Sequence, residues 1–160
     1  MMRVLTLSSV FLYGSMAMAQ SPIGAQGAIK ALNAFAAEAY CSEVAAADVL
    51  AVGQGVFIGQ YSDWCGHGGH ASPRAVLTVV KWQPGGTGQG QYRVVETNVL
   101  EKLDIWGHIE SLKHEGKAVV LTMSQLGPED ARCCPSIRMQ YRIEIGSWRL
   151  LTQRPLRTTR

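Results

Sequence analysis

Between residues 21 and 43, apolar side chains recur at helical spacing. Ala28, Leu32, Phe35 and Ala39 fall on one stripe, flanked by Ile29 and Ala36. Ser21-Pro22 offers an N-cap and a first-turn proline, whereas Gly24 and Gly27 weaken the opening turn. After this segment the period drops from 3.6 to 2. Residues 49–61 carry Val52, Val56, Phe57 and Ile58 among glycines and read as one kinked or bulged strand. Residues 75–82 are almost wholly apolar, the mark of a central strand covered on both faces. The glycine-rich run from Pro84 to Gly90 is a hairpin loop from which residues 92–96 return. Residues 105–114 and 118–124 form another hairpin about Glu115-Gly116-Lys117.

The last hairpin is the clearest. Met139, Tyr141, Ile143 and Ile145 alternate with Arg138, Gln140, Arg142 and Glu144. A two-residue Gly146-Ser147 turn places Ile145 opposite Trp148 and Ile143 opposite Leu150 on the inner face. The same register sets Glu144 against Arg149 on the outer face, an opposite-charge cross-strand pair. Together these elements predict an α+β fold, an N-terminal helix packed on an antiparallel sheet of about five to seven strands. There is no sign of an internal sequence repeat, a linker or a second domain.

The start of the chain changes where this domain begins. Arg3 is followed by an apolar run over residues 4–13, and Ala17 and Ala19 precede Gln20 at the small-residue positions of a cleavage site. The run is shorter than the roughly 20 residues that span a bilayer. No cysteine follows it closely enough to accept a lipid. Residues 1–19 are therefore expected to be an export signal, and residues 20–160 a single soluble domain, periplasmic or secreted, with no transmembrane segment. The 141 residues left after cleavage suit one domain with a sizeable core.

Cleavage removes Arg3 and no acid, leaving 14 basic and 12 acidic residues, a net charge of +2. That balance does not point to nucleic acid. The cations gather late, at Arg149, Arg154, Arg157 and Arg160, with no acid among the last twelve residues. This is a solvated tail or a contact for an acidic envelope surface.

An exported chain with four cysteines, Cys41, Cys65, Cys133 and Cys134, implies disulfides, and four allow three connectivities. Successive side chains of an extended backbone point to opposite sides, and Pro135 pushes Cys134 toward an extended conformation. The adjacent pair then diverges, so Cys41 and Cys65 are expected to bond one member each. Such bridges would brace the helix end and a glycine-rich loop against the loop before the last hairpin. The other connectivity, Cys41 to Cys65 with a vicinal Cys133–Cys134 pair, stays open as a redox or metal-binding arrangement. A Cys-x-x-Cys motif is absent.

Residues 127–136 read Gly-Pro-Glu-Asp-Ala-Arg-Cys-Cys-Pro-Ser and lead into an alternating strand. The segment resembles the tail of small exported bacterial proteins, the LppP/LprE-type lipoproteins and related periplasmic proteins of uncharacterised function. Gly-Pro-x-Asp followed by Cys-Cys-Pro-Ser carries the likeness, over the last quarter of the chain. It implies compartment and fold style and transfers no catalytic residue. This chain departs from the lipoprotein members in lacking a lipid-accepting cysteine at its signal.

One cluster has metal-ligand character. Cys65, His67 and His70 offer a thiolate and two imidazoles within one loop, suited to zinc or copper. A disulfide at Cys65 would remove the thiolate and leave two exposed histidines. Hydrolase chemistry finds less support. Ser136 and Ser147 lack a nucleophile-elbow context. Glu129-Asp130 reads as a turn-forming or Arg132-facing pair. Gly86-x-Gly88-x-Gly90 precedes no helix and is no dinucleotide loop. Tyr61, Trp64, Trp82, Trp106 and Trp148 are candidates to stack on a sugar or peptide, and most of them read better as core or rim aromatics. The sequence thus predicts a disulfide-stabilised, non-catalytic binding protein without a cofactor, whose partner is an envelope protein or glycan. The alternative is a periplasmic metal-binding protein using the Cys65/His67/His70 loop.

Overall fold

The computed structural model describes residues 22–40, 49–63, 74–86, 90–131 and 134–156. Helix α1 (Pro22–Tyr40) is followed by strands β1 (Val49–Gly53), β2 (Val56–Asp63), β3 (Arg74–Gln83) and β4 (Gln91–Glu96). A short helix α2 (Val99–Lys102) then leads to β5 (His108–Glu115), β6 (Ala118–Gln125), β7 (Ile137–Glu144) and β8 (Leu150–Leu156). Each run of four strands is an antiparallel meander, β1-β2-β3-β4 (sheet A) and β5-β6-β7-β8 (sheet B).

The expected single sheet of five to seven strands is therefore wrong: the fold is mostly β, with two four-stranded sheets and one long helix. Two local features account for the difference. Residues 49–61 are not one strand, because Gly55 at φ +64° turns the chain back and makes a β1–β2 hairpin. The segment after β4 leaves sheet A through three left-handed residues, Asn98, Asp104 and Gly107, around α2. Asn and Asp tolerate that region better than other side chains, and Gly is free to enter it.

The layers follow from which side chains are apolar. Helix α1 buries Ala28, Leu32 and Ala36, spaced four apart, against Phe57, Tyr61, Val76 and Val80 on one face of sheet A. The two glycines that weaken its first turn serve packing. A Cβ on Gly27 would lie 2.6 Å from Cδ2 of Tyr92, so the helix approaches β4 only because no side chain intervenes. The other face of sheet A presents Ile58, Leu77 and Val79 to Val119, Leu121, Met123, Tyr141 and Ile143 of sheet B, with Val99 and Leu100 of α2 in the same cluster. Strand β3 is thus covered on both sides, as its unbroken apolar run predicts. Its one polar core residue, Thr78, is satisfied by the hydroxyls of Tyr61 at 3.1 Å and Thr97 at 3.2 Å.

The outer face of sheet B is polar. The outward side chains of β6 are small (Ala118, Thr122, Ser124) or compact (Val120). Arginines of β7 therefore reach over β6 to acids on β5, a span of about 9–10 Å. Arg138 forms a bidentate pair with Glu110, with Nη2 to Oε2 at 2.5 Å, which raises its pKa. Arg142 pairs with Glu115 at 2.5 Å. Val120, in register with Arg142, is buried although it points outward.

The last hairpin keeps part of its predicted register. Ile143 does face Leu150, and Glu144 pairs with Arg149 at 3.4 Å. The turn is wider than two residues: Trp148 donates its N–H to the Glu144 carbonyl at 3.1 Å, and Ile145 donates to Lys117 rather than facing Trp148. All four register shifts fall in pairings that include an edge strand, β1, β4, β5 or β8, whereas β2–β3 and β6–β7 pair without interruption. Bulges twist edges away from further strand pairing, and Pro155 in β8 removes a donor as well.

Among the described residues, no helix is long and apolar enough to cross a membrane. Residues 1–19, with the predicted export signal, lie outside the described residues.

Candidate binding cleft

Where the two sheets splay apart, an open cleft of about 190 Å³ remains. Val52, Val56, Val79 and Val95 of sheet A form one wall; Ile145, Gly146 and Trp148 of the β7–β8 turn form the other. Lys81 and Glu96 stand at its rim. Val95, on the edge strand β4, is 40% exposed although apolar. Glu96 is held by the ammonium of Lys102 from the end of α2. Trp148 has φ +50°. A bulky side chain in that region is strained, and the turn that imposes it also presents the indole to the cleft.

The predicted chemistry does not meet here. Cys41, Cys65, His67, His70 and Cys133 lie outside the described residues, as does Trp64. Cys134 is the one cysteine described; it is disulfide-bonded and not free. No bridge has both halves among the described residues, so the predicted connectivity is not visible there. Among the described residues no group of three potential metal ligands occurs. His108 and His114 are exposed on β5. Asp63 and Arg74 begin and end the connection that carries Cys65, His67 and His70, at the far end of β2 and β3 from Val56 and Lys81. The cysteine-bearing loop before β7 likewise joins the strand ends remote from Ile145 and Trp148. The strand ends Asp63, Arg74, Gln125 and Ile137 therefore lie at the end of the strands away from the cleft.

The aromatics divide by role. Tyr61 is core. Trp82, 48% exposed, packs edge-on against Tyr92 at 5.1 Å between centroids. Trp106 is exposed and donates its indole N–H to Asp104 at 2.7 Å. Among the described aromatics, only Trp148 lines the cleft.

The Gly-Pro-x-Asp…Ser segment is one hydrogen-bonded unit. Asp130 Oδ2 accepts the backbone N–H of Gly127 at 2.6 Å and that of Ser136 at 2.7 Å. Asp130 thus has the turn-forming role, while Arg132 lies outside the described residues. These bonds hold its carboxyl below the ordinary aspartate value, the Gly127 N–H contributing most, then the Ser136 N–H and hydroxyl. A lowered folded pKa gives stability that is complete above the unfolded value of about 3.9 and is lost as pH falls through the folded value. Asp130→Ala should therefore loosen the loop at pH 7, seen as faster proteolysis between residues 127 and 136. Its stability deficit relative to wild type in urea titrations should shrink below about pH 4. A deficit independent of pH would show that the charge is not what closes the loop.

The chain matches no family model, no curated protein and no solved structure at a significant level.

Proposed function

We propose that this chain is an exported, non-catalytic binding domain of the cell envelope that docks a partner through the cleft between its sheets. One observation carries the reading: an apolar cleft walled by Trp148, whose backbone is held in the left-handed region. Strain of that kind persists where the surrounding structure enforces it and concentrates at ligand-contacting sites. The cleft is smaller than the roughly 300–1,000 Å³ of sites that enclose a small molecule. Its size suits one apolar side chain projecting from a larger partner, the usual form of an interface anchor. The bulged edges disfavour binding by strand addition. Export rests on the charged, apolar and small-residue pattern of residues 1–19, and the likeness of residues 127–136 to exported proteins agrees with it.

In-cell photocrosslinking tests the reading. A photoreactive amino acid at position 95, on the cleft wall, should capture a discrete envelope partner. The same group at Lys113, on the outer face of sheet B, should not. Equal crosslinking from both positions, or none from position 95, would overturn the assignment.

A further inference from the structure

Beside the cleft lies a charge arrangement that the fold does not require: Lys81, on the lining, and its register partner Arg93. Lys81 on β3 and Arg93 on β4 stand directly opposite each other in register. Both belong to the face of sheet A turned toward sheet B, the row that continues from Val56. Like charges at directly opposed positions weaken an antiparallel pair. Neither cation forms an ion pair with a described residue. Glu96, the acid on the cleft lining, is taken by Lys102. With the Gln91 amide oriented so that its oxygen faces Arg93, Arg93 Nε donates to it at 2.7 Å, a neutral acceptor. In sheet B, Arg138, Arg142 and Arg149 each meet a glutamate, while Arg154 donates to Gln140.

We propose that Lys81 and Arg93 form an anion-binding rim, so that the ligand is a polypeptide segment with a carboxylate side chain beside the apolar one that enters between Val95 and Trp148. This rests on the cleft being the docking site. A carboxylate placed across the two cations relieves their repulsion, while the apolar neighbour buries surface against valine, isoleucine and indole. Neither half alone matches the whole lining. The rim would also speed encounter with acidic partners, an effect that salt screens.

Short capped peptides with one phenylalanine flanked by glutamate, by glutamine or by lysine test this on the domain without its signal, followed by chemical-shift perturbation. The glutamate peptide should bind about tenfold more tightly than the glutamine peptide at low salt, and the gap should close toward 0.5 M salt, where the screening length falls to about 4 Å. The double variant Lys81→Gln, Arg93→Gln should abolish the preference of the glutamate peptide over the glutamine peptide. Trp148→Ala should weaken both. Equal affinities, or a preference that survives the double variant, would overturn the anion rim while leaving the cleft intact. If no peptide shifts the resonances of Val95, Ile145 or Trp148, the cleft reading itself fails and the rim with it. Tighter binding to phosphatidylglycerol vesicles than to any peptide would overturn the polypeptide assignment.

Discussion

Replacing Leu121 by alanine should lower the free energy of unfolding by about 2–5 kcal/mol. Leu121 is fully buried on β6 and faces Leu112 on one side and Tyr141 on the other. Above it lie the side chains of the opposite sheet, Ile58, Leu77 and Val79, and Leu100 of α2. Two sheets held apart by many interdigitating side chains cannot close over one missing isobutyl group, so transfer and cavity costs add. Against a typical total of about 5–15 kcal/mol, the loss is a large share of stability. Urea titration should show a lower midpoint with an unchanged slope. Leu151, exposed in the bulge of β8, is the control: its alanine variant should stay within about 0.5 kcal/mol of wild type. Similar losses at both positions would mean that the sheet-on-sheet core is not the main source of stability.

Gly107→Ala should cost roughly 2–4 kcal/mol, from backbone strain together with steric conflict. Gly107 has φ +135°, a region that side-chain-bearing residues rarely enter. An added Cβ would also press on the carbonyl oxygen of Ser124 and lie 2.9 Å from Cγ of Gln125. Gln125 is not free to move aside, since its amide donates to the Trp106 carbonyl at 2.5 Å and to the Tyr141 hydroxyl at 2.7 Å. The substitution therefore disturbs the crossing from α2 into β5 and the core at Tyr141 together. Gly116, at φ +63° with open space around it, separates the two contributions. Its alanine variant should show only the left-handed penalty, about 1–2 kcal/mol. If Gly107→Ala proves no worse than Gly116→Ala, the contacts to Ser124 and Gln125 do not matter.

Elements whose signal is local were legible. The alternation from Arg138 to Ile145 fixed the inner and outer faces of β7, and the charges of Glu144 and Arg149 located their pairing. The helix could be read from its stripe, although Ala36 rather than Ala39 completes the buried row. The split of residues 49–61 into two strands was not legible. Val52, Val56, Phe57 and Ile58 form a nearly continuous apolar run across the Gln54-Gly55 turn, so the periodicity shows no break. Helix α2 is missed for a simpler reason, since four residues cannot display a 3.6-residue period. The cleft had no sequence signature either. Val52, Val95, Ile145 and Trp148 are brought together from three separate parts of the chain, and each alone looks like an ordinary strand or turn residue. Asp130 lay within a motif that stood out, but its two backbone donors became identifiable only once the loop was closed.

Side-chain polarity and local backbone preference, both properties of neighbouring residues, sufficed to locate α1, to place the last two strands and to require that β3 be covered on two sides. They could not say what supplies the second cover. That was decided by long-range burial: once α1 occupies one face of sheet A, the remaining apolar face needs an equal partner, and only a second sheet, reached through the left-handed residues around α2, offers one. The same choice leaves β4 and the β7–β8 turn standing apart at one end, and so creates the cleft. A gap between two layers belongs to neither, and for that reason no stretch of the chain encodes it alone.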